Sequence, residues 1–323
     1  MIRFENVSKT YSGGVRAVCD LSLEVKEGET LVLLGTSGCG KTTTLKMVNR
    51  LVEPSSGRIL VQGDDIMEQD PISLRRRIGY SIQHIGLFPH MTVGQNIAVV
   101  PRLLDWPQER IDRRVDQLLE MTGLAPEQFR NRYPAQLSGG QRQRVGVARA
   151  LGADPPVILM DEPFGALDPI TREQLQGEFL ELQSELKKTI LFVTHDVFEA
   201  VRMGDRIALL DEGRLQQLDT PADLVEEPAN QFVDDFLGQH RFQLSLLTRT
   251  VEGLAEPVEE KLSGQPDDYV SLHSSLINAL DTFKRLEVNK LPVFDGEEHT
   301  GVLQKDTLLN TIHRALKETG KEP

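Results

Sequence analysis

Gly35-Thr36-Ser37-Gly38-Cys39-Gly40-Lys41-Thr42 follows the apolar run at 29–34 and leads into Thr43-Thr44-Leu45-Lys46-Met47. It fits a phosphate-binding loop at every required position. Its glycines remove Cβ bulk so that backbone N–H groups can converge on phosphate oxygens, and a helix opening near Lys41 adds the positive end of its dipole. Lys41 supplies a cation for β and γ phosphates. The Thr42 hydroxyl suits one position of an octahedral Mg²⁺ whose other ligands are phosphate oxygens and waters. The plain alternative is a chance glycine-rich turn, and the strand before and helix after argue against it.

Outward from that loop, short apolar runs at 29–34, 58–61, 157–161, 189–194 and 206–210 alternate with helical stretches, so the sequence predicts an α/β fold. Between about 88 and 152 strand signals fade, while Ile111, Val115, Leu118 and Leu119 recur at helical spacing, which predicts a helical insert. Val157-Ile158-Leu159-Met160-Asp161-Glu162-Pro163 reads as a strand buried in a parallel sheet and ending in two carboxylates. Ligands of such sheets lie beyond these strand ends. Asp161 is placed to hold magnesium through its water shell, and Glu162 to orient or deprotonate an attacking water. Taken singly, the pair also reads as a solvated acidic turn.

Leu137-Ser138-Gly139-Gly140-Gln141 opens a second helix, with Ser138 able to cap and two glycines permitting close approach. A simple helix cap is the bland reading. The lysine, threonine and carboxylate set describes one triphosphate, which leaves this second anion-seeking helix start for another nucleotide.

The 323 residues allow a large domain and a smaller one, with 39% hydrophobic and 26% charged content. No apolar run approaches the roughly 20 residues that cross a bilayer, and the first residues lack a basic segment followed by an apolar core. A cytoplasmic protein is expected. The formal charge of −13 argues against nucleic acid and against direct attraction to anionic lipid. Cys19 and Cys39 stand alone, without the spacing of a disulfide framework or a zinc site.

The order of these motifs resembles that of ABC ATPases. Besides the phosphate loop, the Asp161-Glu162 strand end and Leu137 to Gln141, the chain carries Tyr11 where the family has its adenine-stacking aromatic and Gln83 at the glutamine loop. Ala166-Leu167-Asp168 matches the loop after the carboxylates, and His195 the switch histidine. The resemblance implies a P-loop ABC ATPase domain at 1–238 with a helical subdomain. It also implies a homodimer that encloses two ATP molecules, each between one chain's phosphate loop and its twin's Ser138, Gly139, Gly140 and Gln141. By the same likeness Glu162, His195 and Gln83 are catalytic, Thr42, Gln83 and Asp161 hold Mg²⁺, and Tyr11, Gly35 to Thr43 and Asp168 contact nucleotide. Tyr11, Gln83 and His195 rest on the resemblance; alone, each reads as a packing or polar structural residue.

The interval between Lys41 and Asp161 has no long heptad run, unlike chromosome-maintenance relatives, and one ATPase domain is present where translation-associated members usually have two. Ile85-Gly86-Leu87-Phe88-Pro89-His90-Met91-Thr92-Val93 resembles the surface of importer ATPases that receives a membrane subunit, with Leu87 and Phe88 as a hydrophobic socket. Residues 239–267 read as a linker or degenerate first CBS repeat. Residues 268–323 read as a small α+β domain resembling a CBS repeat, with a strand at 269–272, a helix bearing Leu276, Ile277, Leu280 and Phe283, strands at 291–294 and 300–303, and a final helix. With KTTTLKMVNRLVEPSSG at 41–57, the chain is similar to the ATPases of glycine betaine, carnitine and choline importers. That likeness implies permease partners, an external solute-binding protein and a peripheral position on the cytoplasmic membrane face. An amino-acid importer with a sensor tail of another fold, and a soluble ABC switch without transport, stay open at this point.

Overall fold

The computed structural model describes residues 1–82, 86–165, 167–258, 262, 266 and 268–319. They divide into two units, Met1–Leu218 and Asp219–Pro323.

In the first unit the strand Thr30–Gly35 is buried at every position, as the apolar run Leu31 to Leu34 requires of a strand covered on both faces. It pairs in parallel with Thr189–Val193 and Arg206–Asp211. Val157–Asp161 and Ile78–Ser81 extend the same sheet in parallel, and Arg214–Asp219 lies beyond Arg206–Asp211. Asp161 stands level with Val193, which in turn pairs with Leu33. The residues that follow these three strands therefore leave from one edge of the sheet.

A second, antiparallel sheet takes up the chain start, which the sequence reading did not resolve into strands. Ile2–Thr10 is flanked by Arg16–Val25 and Ser56–Val61. Ile2, Phe4, Val7, Leu21, Leu23 and Val25 share one core with Leu31, Leu33, Leu45 and Met47. Burying such side chains contributes about 1.5–3 kcal/mol each, and here it locks the strand before the phosphate loop and the helix after it, Lys41–Val48, into one block.

Helices occupy Val93–Ile97, Val99–Leu103, Gln108–Met121, Pro126–Phe129 and Gly139–Ala150, and no strand interrupts them among the described residues. In Gln108–Met121 the buried positions are Ile111, Val115, Leu118 and Leu119, the stripe that the spacing predicts.

The boundary between units falls after Leu218, some way before the 238 expected from sequence. Hydrogen bonding within the second unit gives the reason. Arg241 donates Nε to the Val225 carbonyl at 2.9 Å and Nη2 to that of Glu226 at 3.0 Å, and its Nη1 pairs with Asp234 at 2.7 Å. The helices Pro221–Glu226, Gln231–Leu237 and Arg241–Thr248 are thereby tied together, so 241–248 is a helix rather than linker. Further on, Val270–Ser271 pairs in parallel with Lys290–Asp295, which pairs antiparallel with Glu298–Gln304. Helices Leu276–Leu286 and Lys305–Thr319 complete the order read from the sequence. Leu246, Val251, Leu276, Phe283, Val293 and Leu303 form their core.

Candidate active site

The phosphate loop is shaped by close approach at two of its glycines. A Cβ on Gly35 would stand 2.1 Å from the Leu210 carbonyl oxygen, and one on Gly40, at φ 104°, would stand 2.2 Å from that of Ala17. Gly38 differs: its φ of 82° needs glycine, yet nothing stands within 4 Å of its missing Cβ. Lys41 is buried, and its Nζ donates to the carbonyls of Gly35 and Thr36 at 2.8 Å each. The ammonium is thus held inside the loop by its own backbone, which is where a phosphate chain would meet it. Burial pushes the Cys39 thiol up, against the opposing charge of Lys41, so Cys39 is a neutral wall of the loop.

Thr42 Oγ1 donates to Asp161 Oδ1 at 2.9 Å, joining the loop to the adjacent strand end. Burial raises the Asp161 carboxyl, while the Thr42 hydrogen bond and the charges of Lys46 and Lys41 work the other way and Glu162 adds to the rise. A buried carboxylate beside a hydroxyl, with open space before Gly38, is the oxygen donor set that suits Mg²⁺ together with phosphate oxygens. Among the described residues no group of three His, Cys, Asp or Glu side chains makes a metal cage.

Glu162 turns off the strand at φ 45°, a left-handed conformation that costs a side-chain-bearing residue about 1–3 kcal/mol. Its N–H donates to the Val193 carbonyl at 3.0 Å, and its Oε1 lies 3.3 Å from Nδ1 of His195. Carboxylate and imidazole, read apart in the sequence, share this one edge. Tyr11 keeps an exposed ring, with Lys9 Nζ 5.2 Å from its centroid and its hydroxyl 3.4 Å from Thr43 Oγ1.

The second anion-seeking helix start is built otherwise. Ser138 Oγ accepts from the Gln141 N–H at 3.2 Å, and Gln141 Oε1 accepts from the Ser138 N–H at 3.0 Å. This reciprocal capping box precedes Gly139, whose missing Cβ faces open space, and Gly140, where a Cβ would strike Thr171 Cγ2 at 2.7 Å. Asp168 caps the helix Pro169–Leu186 by accepting from the Thr171 N–H at 3.1 Å, and these Thr171 hydrogen bonds hold its carboxyl below the ordinary range. Lys41, Thr42, Asp161, Glu162 and His195 therefore come together, while the polar contacts of Ser138 and Gln141 are with each other. Gln83 and Ala166 lie outside the described residues.

Two groups were not anticipated. Asp211 ends its strand at the same sheet edge, where its Oδ1 accepts from Thr36 Oγ1 at 3.4 Å. Tyr80, on the strand beside Val157–Asp161, is pushed up to about 12 by burial and by the charge of Asp161. The strand-end rule reaches Asp211; Tyr80 needs the strand order.

Comparison with known proteins agrees with this geometry. A family model described as ABC transporter matches residues 18–165. The glycine betaine/carnitine/choline transport ATP-binding protein OpuCA of Bacillus subtilis is 51% identical over 92% of this chain and 76% of its own length. The glycine betaine uptake system ATP-binding protein YehX of Escherichia coli is 48% identical over 96% and 99%. Among solved structures, the ATP-binding cassette MJ0796, a dimer in a post-hydrolysis state bound to ADP and Pi, superposes with a TM-score of 0.61 at 35% identity, covering 68% of this chain and 98% of that one. With relatives this similar along nearly all of its length and a phosphate loop, a paired carboxylate strand end and a capped glycine helix in the family's order, the chain belongs to the ABC transporter ATP-binding proteins.

Proposed function

We propose that the chain hydrolyses ATP to drive import of quaternary-ammonium osmolytes such as glycine betaine, carnitine or choline. The observation that carries this reading is the near full-length identity to transport ATP-binding proteins whose names specify those solutes. In this reading Lys41 neutralises the β and γ phosphates, and the loop N–H groups and Thr43 hold them. Thr42, Gln83 and Asp161 hold Mg²⁺, which would draw charge off the phosphates when bound. Glu162 orients or deprotonates the attacking water. His195, 3.3 Å from Glu162, contacts the γ phosphate and holds that carboxylate in place. Tyr11 stacks on the adenine.

Two copies enclose two nucleotides, with Ser138, Gly139, Gly140 and Gln141 of each chain facing its twin's phosphates and Asp168 contacting nucleotide. The dimeric arrangement of the MJ0796 cassette supports this assembly, as does a helix start that the chain's own lysine and carboxylate cluster does not use. No helix among the described residues is long and apolar enough to cross a membrane. In this reading the solute passes through permease subunits fed by an external solute-binding protein, as the transport names of the relatives suggest. The chain then sits at the cytoplasmic face, held by those permeases. Phe88, 41% exposed, borders a cavity of about 330 Å³ that also takes in Ile78, Val99, Arg76 and Arg149. Asn96 fixes this rim by accepting from the Phe88 N–H at 2.8 Å, and in this reading the rim receives a permease segment. The second unit is regulatory or dimerising, as a CBS-like module would be.

Catalysis is tested by Glu162→Gln, which keeps the shape and removes the base. ATP binding should persist while turnover falls by about 10² to 10⁴. Unchanged turnover would remove Glu162 from the mechanism. Transport is tested by growth at high osmolarity in cells lacking their own uptake systems, supplied with glycine betaine, carnitine, choline or an amino acid. Rescue by the amino acid alone would sink the osmolyte assignment.

A further inference from the structure

Arg172 stands in the first turn of the helix Pro169–Leu186, the end where the helix dipole disfavours a cation. Its N–H donates to the Asp168 carbonyl at 2.9 Å. The guanidinium then folds back over the helix start. Nη2 donates to the Leu167 carbonyl at 3.1 Å, and Nη1 lies 3.8 Å from Asp196 Oδ2. Nε is buried with no hydrogen-bond partner among the described residues. A cation set against the dipole, with one donor unsatisfied, is a costly arrangement if stability alone decides it.

Asp196 is a junction. Its Oδ1 caps the helix Val197–Met203, accepting from the N–H groups of Phe198 at 2.9 Å and Glu199 at 3.2 Å. Its own N–H donates to Thr194 Oγ1 at 3.0 Å. His195 sits between these two pinned residues, with Nδ1 3.3 Å from Glu162. Glu199, from the same helix, accepts from Gln176 Nε2 at 3.0 Å, and Gln176 stands one turn beyond Arg172. The helix that starts at Asp168 is thereby bound twice to the segment that carries His195.

We propose that Arg172 is a positioning residue that fixes the loop carrying Asp168 against the loop carrying His195, and through His195 sets the orientation of Glu162. This rests on the reading of Glu162 and His195 as parts of the ATP site. The fork geometry explains the residue type, since a planar guanidinium presents Nη1 and Nη2 in a fixed fork to acceptors on two different loops, where an ammonium is a single point charge. The separations explain how the link responds to movement. The Leu167 bond is made, whereas the Asp196 pair stands at the outer limit of an ion pair, so a displacement of about 1 Å in either loop makes or breaks it.

The test uses the purified full chain as wild type, Arg172→Ala, Arg172→Lys, Asp196→Asn and the Arg172→Ala/Asp196→Asn double variant, with turnover measured across ATP concentration. Asp196→Asn keeps a cap acceptor for Phe198 and Glu199 but loses the charge. Arg172→Ala should lower kcat about 10-fold, with KM for ATP within about two-fold, as expected of misplacement rather than lost binding. Arg172→Lys should recover part of the loss, Asp196→Asn should reproduce it, and the double variant should fall no further than either single one. Strictly additive losses, or a raised KM at constant kcat, overturn the proposal. If Arg172→Ala does not fold, Arg172→Lys and Asp196→Asn decide, and wild-type kcat in both overturns it. Glu162→Gln is the control: loss there with none at Arg172 or Asp196 sinks the positioning role alone, while full activity there sinks the site reading beneath it.

Discussion

The helix Lys41–Val48 and the helix Gly139–Ala150 both start beside glycines, but their first turns are closed differently. Gly40 caps the first from a left-handed conformation and offers no side-chain acceptor. Ser138 caps the second from an extended conformation, with a reciprocal pair of hydrogen bonds to Gln141. A buried lysine stands behind the first helix start; an exposed serine and an open glycine front the second. The first is a site whose backbone leaves its donors to an anion and whose cation is built in. The second is closed as it stands, and the guanidinium in its first turn, Arg142, is turned back onto the Leu137 carbonyl at 2.8 Å, so it can serve a nucleotide already neutralised elsewhere. That difference fits a division of labour in which one surface binds and the other completes the enclosure.

The largest effect is expected where the first helix start has no room to adjust. In Gly40→Ala the new Cβ would press against the Ala17 carbonyl at 2.2 Å, in a backbone conformation that side chains rarely adopt. Nucleotide binding should be lost, and the unit should lose about 1–3 kcal/mol from left-handed strain alone, read as a lowered melting temperature. Wild-type binding by this variant would show that the loop can be rebuilt and that the contrast between the two starts is not steric. A smaller effect follows from Lys41→Ala, which removes two charge-assisted hydrogen-bond donors but leaves the loop backbone intact. ATP affinity should fall by about 10- to 100-fold, by titration calorimetry, with a modest drop in melting temperature because the Gly35 and Thr36 carbonyls lose their donor. An unaltered affinity would mean that the backbone N–H groups and the helix dipole suffice.

How much of this was legible in the sequence depended on whether the chemistry was contiguous. The phosphate loop and the Asp161-Glu162 strand end are local strings, and their geometry follows from the strand before and the turn after. Tyr80 was missed because its place beside Asp161 arises from strand order, which one segment does not encode; Asp211 lay within reach of the strand-end rule, and only its pairing with Thr36 depends on the fold. The two strands at the chain start were missed for another reason. The register between Ile2–Thr10 and Arg16–Val25 shifts after Phe4 and again after Val7, so the alternation of inward side chains that marks a strand is broken part-way. The early unit boundary was hidden because Arg241 reaches backbone carbonyls and a carboxylate at 225, 226 and 234, and no composition change marks those bonds.

Ser138→Ala gives the smallest effect on the chain alone and the sharpest reading of the two helix starts. It removes the acceptor for the Gln141 N–H at 3.2 Å but leaves the Ser138 N–H bonded to Gln141 Oε1, so half of the box survives. Loss of a serine cap costs about 0.5–2 kcal/mol, and the surviving bond argues for the lower half of that range. The melting temperature should drop by a few degrees, on the order of 2–4 °C. ATP binding to the isolated protomer should stay within about two-fold of wild type, because neither Lys41 nor the loop backbone is touched. Turnover should nevertheless fall if, as proposed, this hydroxyl meets the twin's phosphates. If Ser138→Ala instead weakened binding to the single protomer as strongly as Lys41→Ala, both helix starts would be acting on the same nucleotide within one chain, and the second chain would have no part in the enclosure.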